Sequence, residues 1–244
     1  MTSRQDAERR RAELVTALGA VRARIAGACD AAGRDQHDVT LIAVTKTFPA
    51  SDIAALAGLG VLDIGENKDQ EARAKIKELA GPPMLPVPIK WHMVGRVQSN
   101  KARSVASYAH AVHTVDRPKI VRALAQAAAT ERMAPLDVFI QVSLDDDPER
   151  GGVEIERLPA LAAEVAAHAE LRLCGVMAVP PLDTDPRREF ERLAEVSRAL
   201  QRGYPQAVAI SAGMSDDLEA AVEFGSTHVR VGTALLGRRE PTFS

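Results

Sequence analysis

Short apolar runs alternate along this chain with alanine-rich amphipathic stretches, and that alternation restricts the fold more than any other feature. Runs of strand character begin near Thr40, Val61, Ile89, Ala111, Asp137, Leu171, Ala207 and Thr227. Between them lie helical stretches such as 67–79, 119–129, 158–169 and 189–201. Successive runs start about 20 to 36 residues apart, the scale of a strand–helix–strand unit. The run Val138-Phe139-Ile140-Gln141-Val142 is apolar on both faces, as a parallel strand covered from both sides must be. Eight such units in 244 residues predict an α/β fold, a single closed (β/α)8 TIM-type barrel. The alternative is a doubly wound open sheet, but no G-x-G-x-x-G follows the first strand. One domain, 1–244, is expected.

The barrel is preceded by one extra helix over 6–32, the leading segment 1–33. Leu14, Leu18, Val21, Ile25 and Cys29 recur at helical spacing, and Gly33 supplies a stop. The run Arg9-Arg10-Arg11 is expected to form its solvated face.

Composition removes several function classes. Hydrophobic residues make up 46% and aromatics only 3%, so the core must be built from Ala, Val, Leu and Ile. A net charge of -2 gives no basic footprint for nucleic acid or a membrane surface. Cys29 and Cys174 form no CxxC and read as reduced thiols. No apolar h-region opens the chain, and no apolar run approaches the roughly 18 residues that span a bilayer. A cytoplasmic protein is expected. There is no HExxH, no clustered Cys/His spacing and no G-x-S-x-G elbow. His110 and His113, three apart on a strand, are expected to face opposite sides and so to share no metal. Asp145-Asp146-Asp147 reads as a solvated loop.

In a barrel of this kind chemistry gathers at the C-terminal strand ends, with phosphate often held after the last two strands. The first strand, Leu41-Ile42-Ala43-Val44-Thr45-Lys46, closes on a lysine. Held at the mouth of a core, its amine is expected to lose solvation and become a nucleophile. The seventh end, Gly213-Met214-Ser215-Asp216-Asp217, reads as a glycine turn into a helix, with Ser215 as the cap and a candidate phosphate contact. The eighth end, Gly232-Thr233, offers close backbone approach and a hydroxyl. Strand alternation places His228, Arg230 and Gly232 on one face and Val229 and Val231 on the other, so Arg230 points into the barrel. An inward arginine needs a partner, either a pyridine nitrogen or a buried carboxylate. His92 ends the third strand near the cup, as a ligand contact or a core histidine. One amine, one arginine and two small-residue turns suit a phosphorylated carbonyl compound.

These segments, together with Gly65-Glu66-Asn67, Trp91-His92-Met93-Val94-Gly95, Gln98-Ser99-Asn100-Lys101 and His113-Thr114-Val115-Asp116, follow one order along nearly the whole chain. In that order the sequence resembles the pyridoxal 5'-phosphate homeostasis protein family, a single-domain relative of the alanine racemase barrel. The resemblance implies that Lys46 forms a Schiff base with the cofactor aldehyde and that Arg230 meets the pyridine nitrogen. It implies that Ser215, Gly232 and Thr233 hold the phosphate, with Asn67 near the ring substituents. Lys68 and Arg96 depart from the family pattern at the rim. A racemase needs acid–base groups on both faces of the substrate carbon, one of them from a second domain, and this chain ends soon after Thr233. A guanidinium at the pyridine nitrogen also weakens the cofactor as an electron sink. The expected function is therefore a pyridoxal phosphate carrier with little or no turnover. Apo-enzymes would be its recipients, a monomer its state, and no residue a catalytic or metal-binding one. An amino-acid racemase and a cofactor-free Schiff-base aldolase are the alternatives.

Overall fold

The computed structural model describes residues 3–81, 87–145, 150–181 and 183–238. Eight parallel strands close into a barrel in sequence order. They are Thr40–Val44 (β1), Asp63–Glu66 (β2), Lys90–Met93 (β3), Ala109–Val115 (β4), Leu136–Gln141 (β5), Leu171–Met177 (β6), Ala209–Ser211 (β7) and His228–Val231 (β8). The first and last strands pair with Ile42 opposite Arg230 and Ala43 opposite Val231, which seals the ring. The helices are Ser3–Ala31 (α1), Ala50–Ala57 (α2), Asp69–Leu79 (α3), Ala102–Tyr108 (α4), Pro118–Glu131 (α5), Leu158–Ala166 (α6), Pro186–Gly203 (α7), Leu218–Glu223 (α8) and Thr233–Leu236 (α9). The expected barrel is present, with each strand start within about two residues of its sequence signal.

Burial follows the layers. Leu136, Val138 and Ile140 of β5 face the helices, while Phe139 points into the barrel with Ala111 and Met177. The outward set packs with Ile120, Leu124, Leu161 and Val165 in one aliphatic core. A second core joins the leading helix to the barrel: Leu14, Leu18, Val21, Ile25 and Cys29 meet Val229, Val231, Leu235 and Leu236. Gly33 ends α1 with φ 64, a conformation that costs a side chain and not glycine.

One expectation about α1 is corrected. Arg10 does not belong to the solvated face, because its guanidinium turns inward onto the buried Asp52 of α2. Nη2 donates to Asp52 Oδ2 at 2.7 Å and to the Leu236 carbonyl at 3.0 Å. It thereby clamps the leading helix to the two helices that follow β1 and β8. Asp146 and Asp147 of the acidic run lie outside the described residues.

Candidate functional site

Three consecutive strand ends, those of β7, β8 and β1, form one side of the barrel's C-terminal mouth. Lys46 follows β1 directly, and its side chain is exposed. The described residues do not bury it as the sequence led us to expect. Its backbone, by contrast, is tightly held. The preceding Thr45 donates its hydroxyl to Glu66 Oε1 at 2.6 Å. Lys75 of α3 donates to the same Glu66 oxygen at 2.6 Å and to the Thr45 carbonyl at 2.8 Å. On the other side Thr47 has φ 67, unusual for a β-branched residue, and its N–H donates to Glu71 at 3.1 Å. Glu66, Glu71 and Lys75 therefore fix the residues flanking Lys46. Burial pushes the Glu66 carboxyl upward, against the opposing pull of the Lys75 and Thr45 hydrogen bonds.

Sequence reasoning missed this clamp. The periodicity of α3 offers a signal, since Lys75 lies nine residues after Glu66 on the helix that returns from β2. Asn67 sits just beyond, half-buried, and its backbone runs directly over Gly95: a Cβ on that glycine would lie 2.1 Å from the Asn67 carbonyl oxygen. Asn67 lines a rim cavity of about 420 Å³ with Lys68, Arg96 and Lys101.

Arg230 points into the barrel as alternation requires, and it is buried. Among the described residues no carboxylate is hydrogen-bonded to it. Nη1 donates to the Ser211 carbonyl at 2.6 Å and to Ser211 Oγ at 2.8 Å, and Nη2 donates to the Ala178 carbonyl at 3.0 Å. Burial lowers its pKa to about 10, with Asp217 opposing, so the group stays charged at neutral pH.

Ser215 does not cap α8 as expected. The residue before α8 is Asp217, whose carboxylate instead accepts from the Met214 N–H at 2.6 Å. Ser215 Oγ accepts from the Ala234 N–H at 3.1 Å, so the β7 turn is pinned to the first turn of α9. Ser215, Gly232 and Thr233 are thus brought together. Gly213 is required sterically, with φ 90 and a Cβ position 2.6 Å from the Ala221 methyl. Gly232 is different: a Cβ there would make only ordinary contact, 3.4 Å from the Val44 carbonyl. Packing within the chain does not demand glycine at 232.

The histidines hold the largest surprise. His92 is a core residue, not a rim contact, and its ring centroid lies 5.5 Å from that of His110 and 5.1 Å from that of His113. His110 and His113 thus converge on one neighbour instead of facing apart. Register shifts in the β3–β4 and β4–β5 pairings break the strict alternation on which that expectation stood. His92 Nδ1 lies 2.9 Å from His113 Nε2, and His92 Nε2 lies 3.0 Å from Asp63 Oδ1. His113 stacks on Phe139 at 4.2 Å and reaches Ser211 Oγ at 2.9 Å. Burial first, then neighbouring imidazoles, pushes His113 well below its ordinary value, and His228 falls to about 4. Among the described residues no group of three or more His, Cys, Asp or Glu side chains is placed to hold a metal ion.

The arrangement fits a small phosphorylated aldehyde. An amine stands on β1, a guanidinium lies inside β8, and a pinned turn of small residues joins β7 to α9. Residues 17–240 match the family model of the alanine racemase N-terminal domain. The chain is 46% identical over 94% of its length to a Mycobacterium bovis protein named pyridoxal phosphate homeostasis protein, 94% of which is covered. An Escherichia coli protein of the same name is 39% identical over 91% of this chain and 95% of that one. The structure of PipY from Synechococcus elongatus with PLP bound superposes with a TM-score of 0.75 at 32% identity, covering 82% of this chain and 93% of that one. Alanine racemase from Corynebacterium glutamicum shares the fold, with a TM-score of 0.64 at 15% identity over 92% of this chain and 63% of the racemase.

Proposed function

This chain belongs to the alanine racemase N-terminal domain family, among the pyridoxal phosphate homeostasis proteins, and we propose that it holds pyridoxal 5'-phosphate on Lys46 for intracellular cofactor homeostasis, with little or no turnover. The observation that carries this reading is the contiguity of three elements on neighbouring strands: the Lys46 amine, the buried Arg230 guanidinium and the turn in which Ser215 Oγ accepts from Ala234. Bound there, pyridoxal phosphate supplies an aldehyde that condenses with a primary amine. Lys46 provides that amine from a backbone locked by Glu66, Lys75 and Glu71. Ser215, Gly232 and Thr233 receive the phosphate, Arg230 faces the ring nitrogen, and Asn67 borders the ring substituents.

Low turnover follows from two features. Arg230 stays protonated and is a poor proton donor, so it opposes a proton on the ring nitrogen. Glu66 and Lys75, the ionisable pair beside Lys46, are buried and bonded to each other and to Thr45. No helix among the described residues is long and apolar enough to cross a membrane. A cytoplasmic monomer that passes its cofactor to apo-enzymes completes the reading.

The test is spectroscopic and chemical. Purified protein given pyridoxal phosphate is expected to absorb in the visible, and borohydride is expected to fix one equivalent on the peptide containing Lys46. Lys46→Ala is expected to remain folded and take up none. Efficient interconversion of alanine enantiomers would replace the carrier reading with a racemase. A colourless protein that cleaves sugar phosphates would replace it with an aldolase.

A further inference from the structure

The hydrogen bonds around Arg230 do not stop at Ser211. They continue through Ser211 Oγ to His113 Nδ1 at 2.9 Å, from His113 Nε2 to His92 Nδ1 at 2.9 Å, and from His92 Nε2 to Asp63 Oδ1 at 3.0 Å. Asp63 opens β2 and His92 lies in β3, so the line runs from the N-terminal mouth of the barrel to the cup at the other end. The interior of a barrel like this is ordinarily filled by branched aliphatic side chains. Here a string of polar groups replaces part of that filling.

With both imidazoles neutral, elementary bonding rules give the line one direction. A guanidinium can only donate, so Ser211 Oγ accepts from Arg230 and its own proton must point elsewhere. His113 Nδ1 is the acceptor within reach, which leaves the proton of the neutral ring on Nε2. That proton faces His92 Nδ1, so His92 accepts there and carries its own proton on Nε2. Nε2 in turn donates to the Asp63 carboxylate. Working back from the carboxylate, which can only accept when ionised, gives the same assignment. Every donation therefore points from Arg230 toward Asp63, with a cation at one end and an anion at the other. The carboxylate that an inward arginine requires is present after all, four hydrogen bonds away.

We infer that Asp63, His92, His113 and Ser211 are positioning residues for Arg230, a polarised relay that holds the guanidinium charged and oriented toward the ring nitrogen of a bound cofactor. The tuning of that nitrogen rests on the carrier reading; the polarity of the relay does not. With the opposite tautomers Ser211 Oγ would accept from both Arg230 and His113, and a bare His92 Nε2 would face the Asp63 carboxylate, so the carboxylate end selects one tautomer of each neutral ring. The N-terminal mouth carries a cavity of about 360 Å³ lined by His92, His110, Asp137, Arg172, Cys174 and His228. His92 belongs to the line, so this cavity borders it directly.

Two measurements test this. In the protein without cofactor, nitrogen-15 NMR is expected to find the ring protons of His92 and His113 on Nε2, with Nδ1 bare in both. An Nδ1–H form of either ring in the wild type overturns the relay whatever the loaded protein does. In the loaded protein, Asp63→Asn and His113→Phe are expected to move the pH midpoint of the visible band by about one unit or more, a change of roughly 1.4 kcal/mol in the balance of protonation states. Asp63→Glu is expected to restore it, and Lys90→Ala, which removes the other cation near Asp63, to leave it in place. A midpoint unmoved in folded Asp63→Asn and His113→Phe overturns the tuning even if the tautomers are as assigned. A wild-type protein with no visible band overturns both the carrier reading and the tuning, and the tautomer measurement then judges the polarity alone.

Discussion

Substituting Lys75 by methionine isolates the clamp beneath Lys46. In the wild type the two charged side chains are nearly out of solvent, at 9% for Lys75 and 1% for Glu66, with Nζ and Oε1 2.6 Å apart. Glu66 Oε2 has no hydrogen-bond partner among the described residues, so the carboxylate is under-supplied before anything is removed. Lys75→Met leaves it a single donor, the Thr45 hydroxyl, and takes one of two donors from the Thr45 carbonyl, which keeps the Phe48 N–H. Breaking a buried pair from one side costs about 3–5 kcal/mol, because the surviving charge stays in low dielectric. The double variant Glu66→Leu with Lys75→Met removes both charges at similar volume, and is expected to be neutral or up to about 1–4 kcal/mol more stable. Urea unfolding at pH 7 measures both. With a slope of about 1–3 kcal/mol per molar, the single variant should lose about 1 M or more in midpoint.

A pH signature accompanies that loss. Without Lys75 the Glu66 carboxyl rises further above its unfolded value, so the folded state takes up the proton first. A raised carboxyl destabilises the fold fully above its folded pKa and not at all below the unfolded value of about 4.3. The deficit of Lys75→Met against wild type should therefore shrink as pH falls through that window. The reasoning is refuted if Lys75→Met costs less than about 1 kcal/mol, or if the double variant loses as much as the single one.

His228 is held at about 4 against an ordinary 6.5, so the unfolded chain binds its proton first and stability falls as pH drops below 6.5. Between pH 8 and 5 this amounts to about 2 kcal/mol, and His228→Gln should flatten the slope in a urea series. Ser215→Ala should cost about 1 kcal/mol through the lost contact to the α9 turn. It should also cut the preference for pyridoxal phosphate over pyridoxal about tenfold, a change equal to one hydrogen bond to a charged group. Equal losses for the two ligands in a binding titration would remove Ser215 from the phosphate site.

The barrel was legible because its signal is repeated. Eight apolar runs with helical stretches between them leave few topologies, and inward placement of Arg230 followed from a strand of only a few residues. The side-chain network was not legible, for three physical reasons. Lys75 and Glu66 belong to different elements, and only closure of the helix onto the sheet brings them under Thr45. His110 and His113 obeyed strand periodicity on paper, but a register shift rotates the chain between them. Ser215 stands in sequence where a cap of α8 would stand, whereas the barrel's curvature brings it to the start of α9. Local rules serve well along one element and fail where a bond crosses the ring.

On the carrier reading, a Lys46 that faces solvent on a backbone bonded on both sides shapes traffic through the cup. A nucleophile already facing water has no door to open before an aldehyde arrives. Loading should accordingly scale in proportion to free ligand, without the plateau that a slow gating motion imposes. The same openness lets a competing amine reach the bound molecule, so discharge to another acceptor can proceed while the barrel keeps its shape.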